Sequence, residues 1–128
     1  MLKALAKLEP QAYALLRVLS GFMFAFHGAQ KIFGIHGATP QPFGDIKWVA
    51  GIIELLGGIC VLLGWNTRLA AFLCSGTMAV AYFKYHWGLR GGWDFFPTVN
   101  RGELAALYCV VFFLVACKGS GIFALSRD

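Results

Sequence analysis

Residues 51–65 read GIIELLGGICVLLGW, and Glu54 is the one ionisable side chain among them. A helix on the surface of a soluble protein keeps a polar face opposite its apolar one. This run has no such face. Neither does LAALYCVVFFLVAC at 104–117, so lipid is the better solvent for both. The whole chain agrees. Apolar residues make up 59% and charged residues 13%, against about 45–50% and about 25% in soluble domains. Sixteen glycines would weaken long soluble helices, each by about 1 kcal/mol relative to Ala. In membranes they let helix backbones approach closely.

Working outward from 51–65, the pattern predicts a helix over about 46–64, preceded by one over about 11–34 and followed by helices over about 67–87 and 101–118. These lengths suit a hydrocarbon core of about 30 Å. The breaks are GIHGATPQPFGD, GWNT and GLRGGWDFFPTVN, rich in Gly and Pro that cannot continue a helix. The expectation is therefore all-α: one domain over residues 1–128, an integral membrane four-helix bundle in contact with the lipid bilayer. No internal repeat is evident. Residues 1–10 form a short amphipathic lead (Leu2, Leu5 and Leu8 against Lys3, Lys7 and Glu9). Arg17 interrupts the first apolar stretch and no small-residue cleavage motif follows, which argues against a removed signal peptide.

An even number of spans puts both termini and the GWNT turn on one side. Lys3, Lys7, Arg68, Lys118 and Arg127 lie there; Lys47, Lys84, Arg90 and Arg101 lie on the other. The positive-inside rule leans toward cytoplasmic termini. The net charge of +5 is spread along the chain. It fits helix ends near anionic lipid and gives no nucleic-acid stripe.

Glu54 lies near mid-bilayer, where an acid costs about 2.5–3.5 kcal/mol on insertion scales. It must be either protonated or paired inside the bundle. The first helix offers partners. At 100° per residue, Arg17, Gly21, Phe24, Gly28 and Lys31 share a face, with His27 beside it. The second helix carries a matching stripe of Gly51, Glu54, Gly57 and Gly58. Small residues on both stripes allow close contact, bringing Glu54 to Arg17, His27 or Lys31. Ionisable residues inside membranes mark functional sites by default. The competing readings are a buried ion pair that fixes helix register, and basic side chains that snorkel. Glu54 and His27 are the candidate catalytic groups, Arg17 and Lys31 candidate ligand-binding groups. Trp87 and Trp93 belong to an aromatic loop that is either an interfacial belt or a lid over a flat apolar ligand.

The four cysteines, Cys60, Cys74, Cys109 and Cys117, form no C-x-x-C pair. They read as small packing residues, and with three scattered histidines they predict no metal site. A bis-histidine haem on His27 and His86 is not favoured. There is no nucleotide or flavin motif.

The spacing R-x-x-x-G-x-x-F-x-x-H-G-x-x-K at Arg17 to Lys31, G-x-x-E-x-x-G-G at Gly51 to Gly58, N-x-G-E at Asn100 to Glu103, and the closing G-x-G-x-x-x-x-S-x-D at Gly119 to Asp128 resembles the DoxX family over nearly the whole chain. The resemblance implies a bacterial or archaeal cytoplasmic membrane protein associated with oxidoreductase assemblies that handle thiols, sulfur compounds or oxidative stress. Its motif residues here are Arg17, His27, Lys31, Glu54 and Glu103. The last joins the candidate ligand-binding set, although an acid at a helix N-terminus is also favoured by the helix dipole. The leading expectation is a quinone-linked oxidoreductase component working with a soluble or membrane partner. The alternatives are a non-catalytic anchor or assembly subunit, and a small metabolite or lipid binder or transporter. The transporter reading requires a homo-oligomer, with Ala71, Ser75 and Ala79 supplying the contact.

Overall fold

The computed structural model describes residues 1–128. It is all-helical, and four long helices carry the architecture. A short helix α1 (Leu2–Ala6) leads into α2 (Glu9–Phe33), which has Pro10 in its first turn and ends at Gly34 in a left-handed conformation. After the Pro-rich loop, the Asp45 carboxylate accepts the Lys47 amide (2.9 Å) and caps α3 (Ile46–Leu63). The tight turn through Gly64 starts α4 (Thr67–Ala81), which widens into a π turn over Tyr82–Trp87. A one-turn helix α5 (Pro97–Asn100) precedes α6 (Glu103–Lys118). The fourth long helix thus begins two residues later than the sequence suggested, because Arg101 adopts a left-handed conformation (φ 61°).

In chain packing, α2 lies along α3, α3 along α4, and α4 along α6; Phe24 of α2 closes the ring against Tyr108 and Phe112 of α6 (ring centroids 5.1 and 4.7 Å apart). The α2–α3 seam is set by glycine. A Cβ on Gly28 would sit 2.6 Å from the Gly51 carbonyl oxygen, and one on Gly58 would sit 2.8 Å from the Gly21 carbonyl oxygen. The two backbones touch at both levels. The face of α4 bearing Ala71 and Ser75 is covered by α6 of the same chain, with Ser75 Oγ donating to the Cys109 carbonyl (2.8 Å). It is therefore not free to join copies, as the oligomer reading required.

Two arginines finish the end of the molecule that holds the termini. Helix ends leave carbonyls without partners. The Arg17 guanidinium, fully buried, donates to the carbonyls of Val61 (2.8 Å) and Leu62 (2.9 Å) at the end of α3, and to Ile122 and Phe123 in the tail. Arg68 donates likewise to Ala116 and Cys117 at the end of α6. Thr67 and Ser120 share a buried hydrogen bond (3.0 Å), Ser120 also donates to the Asp128 carboxylate, and the Arg68 amide donates to the same group (3.0 Å). Burial alone would raise the Asp128 carboxyl, but the Ser120 hydroxyl and the amides of Arg68 and Thr67 outweigh it and hold the group below the usual aspartate range.

Outside, the long helices are apolar. Leu15, Leu19, Leu56, Phe72, Leu107 and Val110 are all exposed. Helices α2 and α3 are each long and apolar enough to cross a membrane; α4 and α6, at 15 and 16 residues, are shorter.

Three outcomes are expected of the purified protein in detergent. Gly28→Ala forces backbones apart and should cost about 1–3 kcal/mol, read as a lower melting temperature. Gly76→Ala, where an added Cβ meets nothing within 4 Å, should be neutral or mildly stabilising. Because the Asp128 carboxyl is lowered in the fold, its contribution is complete above the usual aspartate range and drains away as pH falls through its lowered value. Asp128→Asn should melt lower than wild type at neutral pH, and the gap should close under acid.

Candidate functional site

The glycine seam brings Lys31, near the end of α2, against Glu54 in the middle of α3. Lys31 Nζ donates to Glu54 Oε1 at 2.5 Å. Glu54 is 1% exposed and the Lys31 side chain 32%, so the acid lies inside and the base reaches toward the loops. The second carboxylate oxygen, Glu54 Oε2, is buried without a hydrogen-bond partner. An unpartnered buried oxygen of this kind normally costs about 1–3 kcal/mol or more. It calls for a proton, a water or a ligand.

Two cavities meet at this pair. The larger, about 500 Å³, opens between α3 and α4, with Ile46, Ala50 and Ile53 on one wall and Val80, Ala81 and Tyr85 on the other. The smaller, about 260 Å³, lies between α2, α4 and α6 and gathers His27, Arg101 and Tyr108. Lys31, Glu54, Ala81 and His86 line both. The pair is a wall shared by the two cavities, each lined by apolar side chains with polar groups among them.

The expected residues fall into three places. Lys31, Glu54 and His27 come together, His27 standing edge-on to the Tyr108 ring (centroids 6.1 Å apart). Arg17 stands apart. It lies about 21 Å back along α2 at 1.5 Å per residue, and its two terminal nitrogens donate to the four carbonyls of α3 and the tail, while Nε is buried without a partner. Of the three partners the sequence left open for Glu54, the fold selects Lys31. Glu103 is exposed at the start of α6, beside a separate shallow depression shared with Pro97 and Thr98. Trp87 packs against the core and donates Nε1 to the Arg90 carbonyl (2.8 Å). Trp93 is 75% exposed and rests on Phe96. Neither tryptophan lines either cavity at the pair.

The sequence did not single out His86, Tyr108 or Arg101 as site residues. The π turn of α4 carries His86 into the wall shared by both cavities, with Nδ1 facing the Asn100 carbonyl at 3.3 Å. Insertions of this type recur at functional sites, but only the backbone reveals this one. Tyr108 could have been found as the polar member of the Tyr108–Phe112 face of α6. All four cysteines are free. Cys74 is buried where Gly57 makes room for it, and Cys109 lies beside Ser75.

Comparison with known proteins places this arrangement. The DoxX family model matches residues 12–87, which run from the start of α2 to the end of the π turn. An uncharacterized protein of Haemophilus influenzae is 41% identical over 96% of this chain and 94% of its own length. The Bacillus subtilis protein named "Putative oxidoreductase CatD" is 40% identical over 87% of this chain and 81% of its own. The Escherichia coli "Inner membrane protein YqjF" is 25% identical over 94% of both. No solved structure matches the chain. The matched region contains the glycine seam together with Lys31, Glu54 and His86, and the chain belongs to the DoxX family.

Proposed function

We propose that this protein is a bilayer-embedded four-helix component of an oxidoreductase system, and that its Lys31–Glu54 pair serves a lipid-soluble quinone. The observation that carries this reading is the buried, unpartnered Glu54 Oε2 on the wall shared by the two cavities. Membrane location is supported by the apolar exterior of the long helices, by two helices of spanning length, and by the inner-membrane name of the Escherichia coli relative. The oxidoreductase role is supported by the name of the Bacillus subtilis relative. With four spans both termini share a side, which the positive-inside rule makes the cytoplasm.

The residues fit such a ligand. A quinone site needs apolar walls and a few convergent polar groups. Ile53, Ala50 and Val80 supply the walls. Lys31 offers a cationic donor for a ring carbonyl, and Glu54 Oε2 lies within the same wall. A quinone bound there would take two electrons from a partner oxidoreductase and two protons, leaving as the quinol. The chain's own part is to hold the ring, to exclude lipid from the polar wall and to present a proton at Glu54. His27 and His86, which line the smaller cavity with that carboxyl, can pass protons toward it. That cavity is large enough for several waters at about 30 Å³ each.

Purified wild-type protein should show a rise in melting temperature with added quinone. Glu54→Gln should weaken the apparent affinity by about tenfold or more, because it removes the carboxylate whose charge-assisted hydrogen bond, worth about 1.5–3 kcal/mol, holds the Lys31 ammonium in place to donate to the ring carbonyl. Absence of a shift with any quinone, or an unchanged shift in the variant, would overturn the reading.

A further inference from the structure

Helices α3 and α4 pack tightly near the turn that joins them. A Cβ on Gly57 would lie 2.5 Å from Cys74 Sγ, and Cys74 Sγ lies 3.9 Å from the Ile53 carbonyl. Beyond that level, toward the loops, a cleft of about 500 Å³ separates them. Small side chains, Ala50 on α3 and Ala81 on α4, are among its lining, and the π turn ends the regular course of α4 just past this point. Its loop-side end is closed by Lys47, whose ammonium lies over the Tyr85 ring at 5.0 Å. Its rim is formed by Ile46, Val49 and Val80, all exposed on the outer surface of the bundle. Its floor is Lys31 and Glu54. The cleft therefore has a polar floor and, between Gln41 of the loop and Val80, an apolar rim that opens on the outer surface of the bundle.

We propose that this cleft is a lateral portal for an amphiphile with a polar ring and a long apolar tail. The ring seats on Lys31 and Glu54, and the tail leaves the bundle between α3 and α4, past Val49 and Val80. This rests on the quinone reading and adds to it the ligand's route and the residues that select for a tail. The size of the two cavities supports the choice. Ligand pockets run to about 300–1,000 Å³, a range that holds the cleft and not the smaller cavity. Lipid chains are as apolar as leucine, so a tail gains little by entering the cleft. What the cleft supplies is an exit, without which a tailed ring could not reach the pair.

The test compares two quinone pairs, each a ring without a tail and the same ring bearing a decyl or longer chain. One pair is a dimethoxy-methyl-benzoquinone and the other a naphthoquinone. Binding is read by thermal shift on wild type, on the plugged variants Ala50→Trp and Val80→Trp, and on Val110→Trp, which adds the same bulk to the exposed face of α6. The plugged variants should weaken the tailed quinone at least tenfold relative to its tail-less partner, and Val110→Trp should leave the ratio unchanged. In wild type, a quinone carrying a photoreactive diazirine in its tail should label α3 and α4 at Ile46, Val49 or Val80, whatever the plugged variants do. If wild type responds to both forms but plugging changes them alike, or the label falls on α6, the portal is wrong and the quinone site stands. If neither form shifts wild type, the quinone reading and the portal fall together.

Discussion

The contact between the backbones of α2 and α3 is the constraint from which the rest of the structure follows. Gly21 meets Gly58 and Gly28 meets Gly51 with no room for a side chain. At that distance the residues next along each face have no freedom about what they meet. Lys31, one turn beyond Gly28, must lie against α3, and the Gly51 position would place a Cβ 2.8 Å from Lys31 Cβ. Glu54, one turn beyond Gly51, is then within reach of the ammonium. A lysine and a glutamate are thereby brought together inside a bundle whose exterior is apolar. Desolvating two charges is expensive, and their attraction repays the cost only with good geometry and satisfied remaining atoms. One of the two carboxylate oxygens, Glu54 Oε2, is left unsatisfied, on a wall that borders open volume.

The molecule divides its polar groups between two ends. At the end with the termini, Arg17, Arg68, Thr67, Ser120 and Asp128 are consumed in closing helix ends and fastening the tail. Tyr13 joins them by donating to the Gly119 carbonyl at 2.5 Å. Toward the loops, Lys31, Glu54, His27, His86 and Tyr108 border open volume instead. Rigidity at one end and cavities at the other are what a site held by a stiff scaffold requires.

Much of the seam was legible in the sequence, because 3.6-residue periodicity puts Gly21, Gly28 and Lys31 on one face and Gly51, Glu54 and Gly58 on another. Arg17 shares that first face, so periodicity alone could not separate it from Lys31 as the partner of Glu54. The separation comes from the tail, whose carbonyls at Ile122 and Phe123 compete for the guanidinium. Nor could a pattern within one helix show which helix lies beside which. The small face of α4 was read as free for another copy, and the fold gives it to α6. The π turn is a property of backbone hydrogen bonding with no fixed residue signature, so His86 entered the sequence reading only as half of a disfavoured haem pair. The cleft is lined from two helices, which is invisible until their pairing is known.

The account's central claim is that the buried pair works on a ligand and is not merely a helix clamp. Replacing both members with apolar residues of similar size removes the charges without stranding either one, a change that is often neutral or stabilising for a purely structural pair. The most direct measurement is therefore the melting temperature of Lys31→Met combined with Glu54→Leu, recorded with and without quinone. The account predicts a protein that melts at or above the wild-type temperature and no longer responds to quinone. A double variant that still responds as wild type does, or that fails to fold, would contradict it.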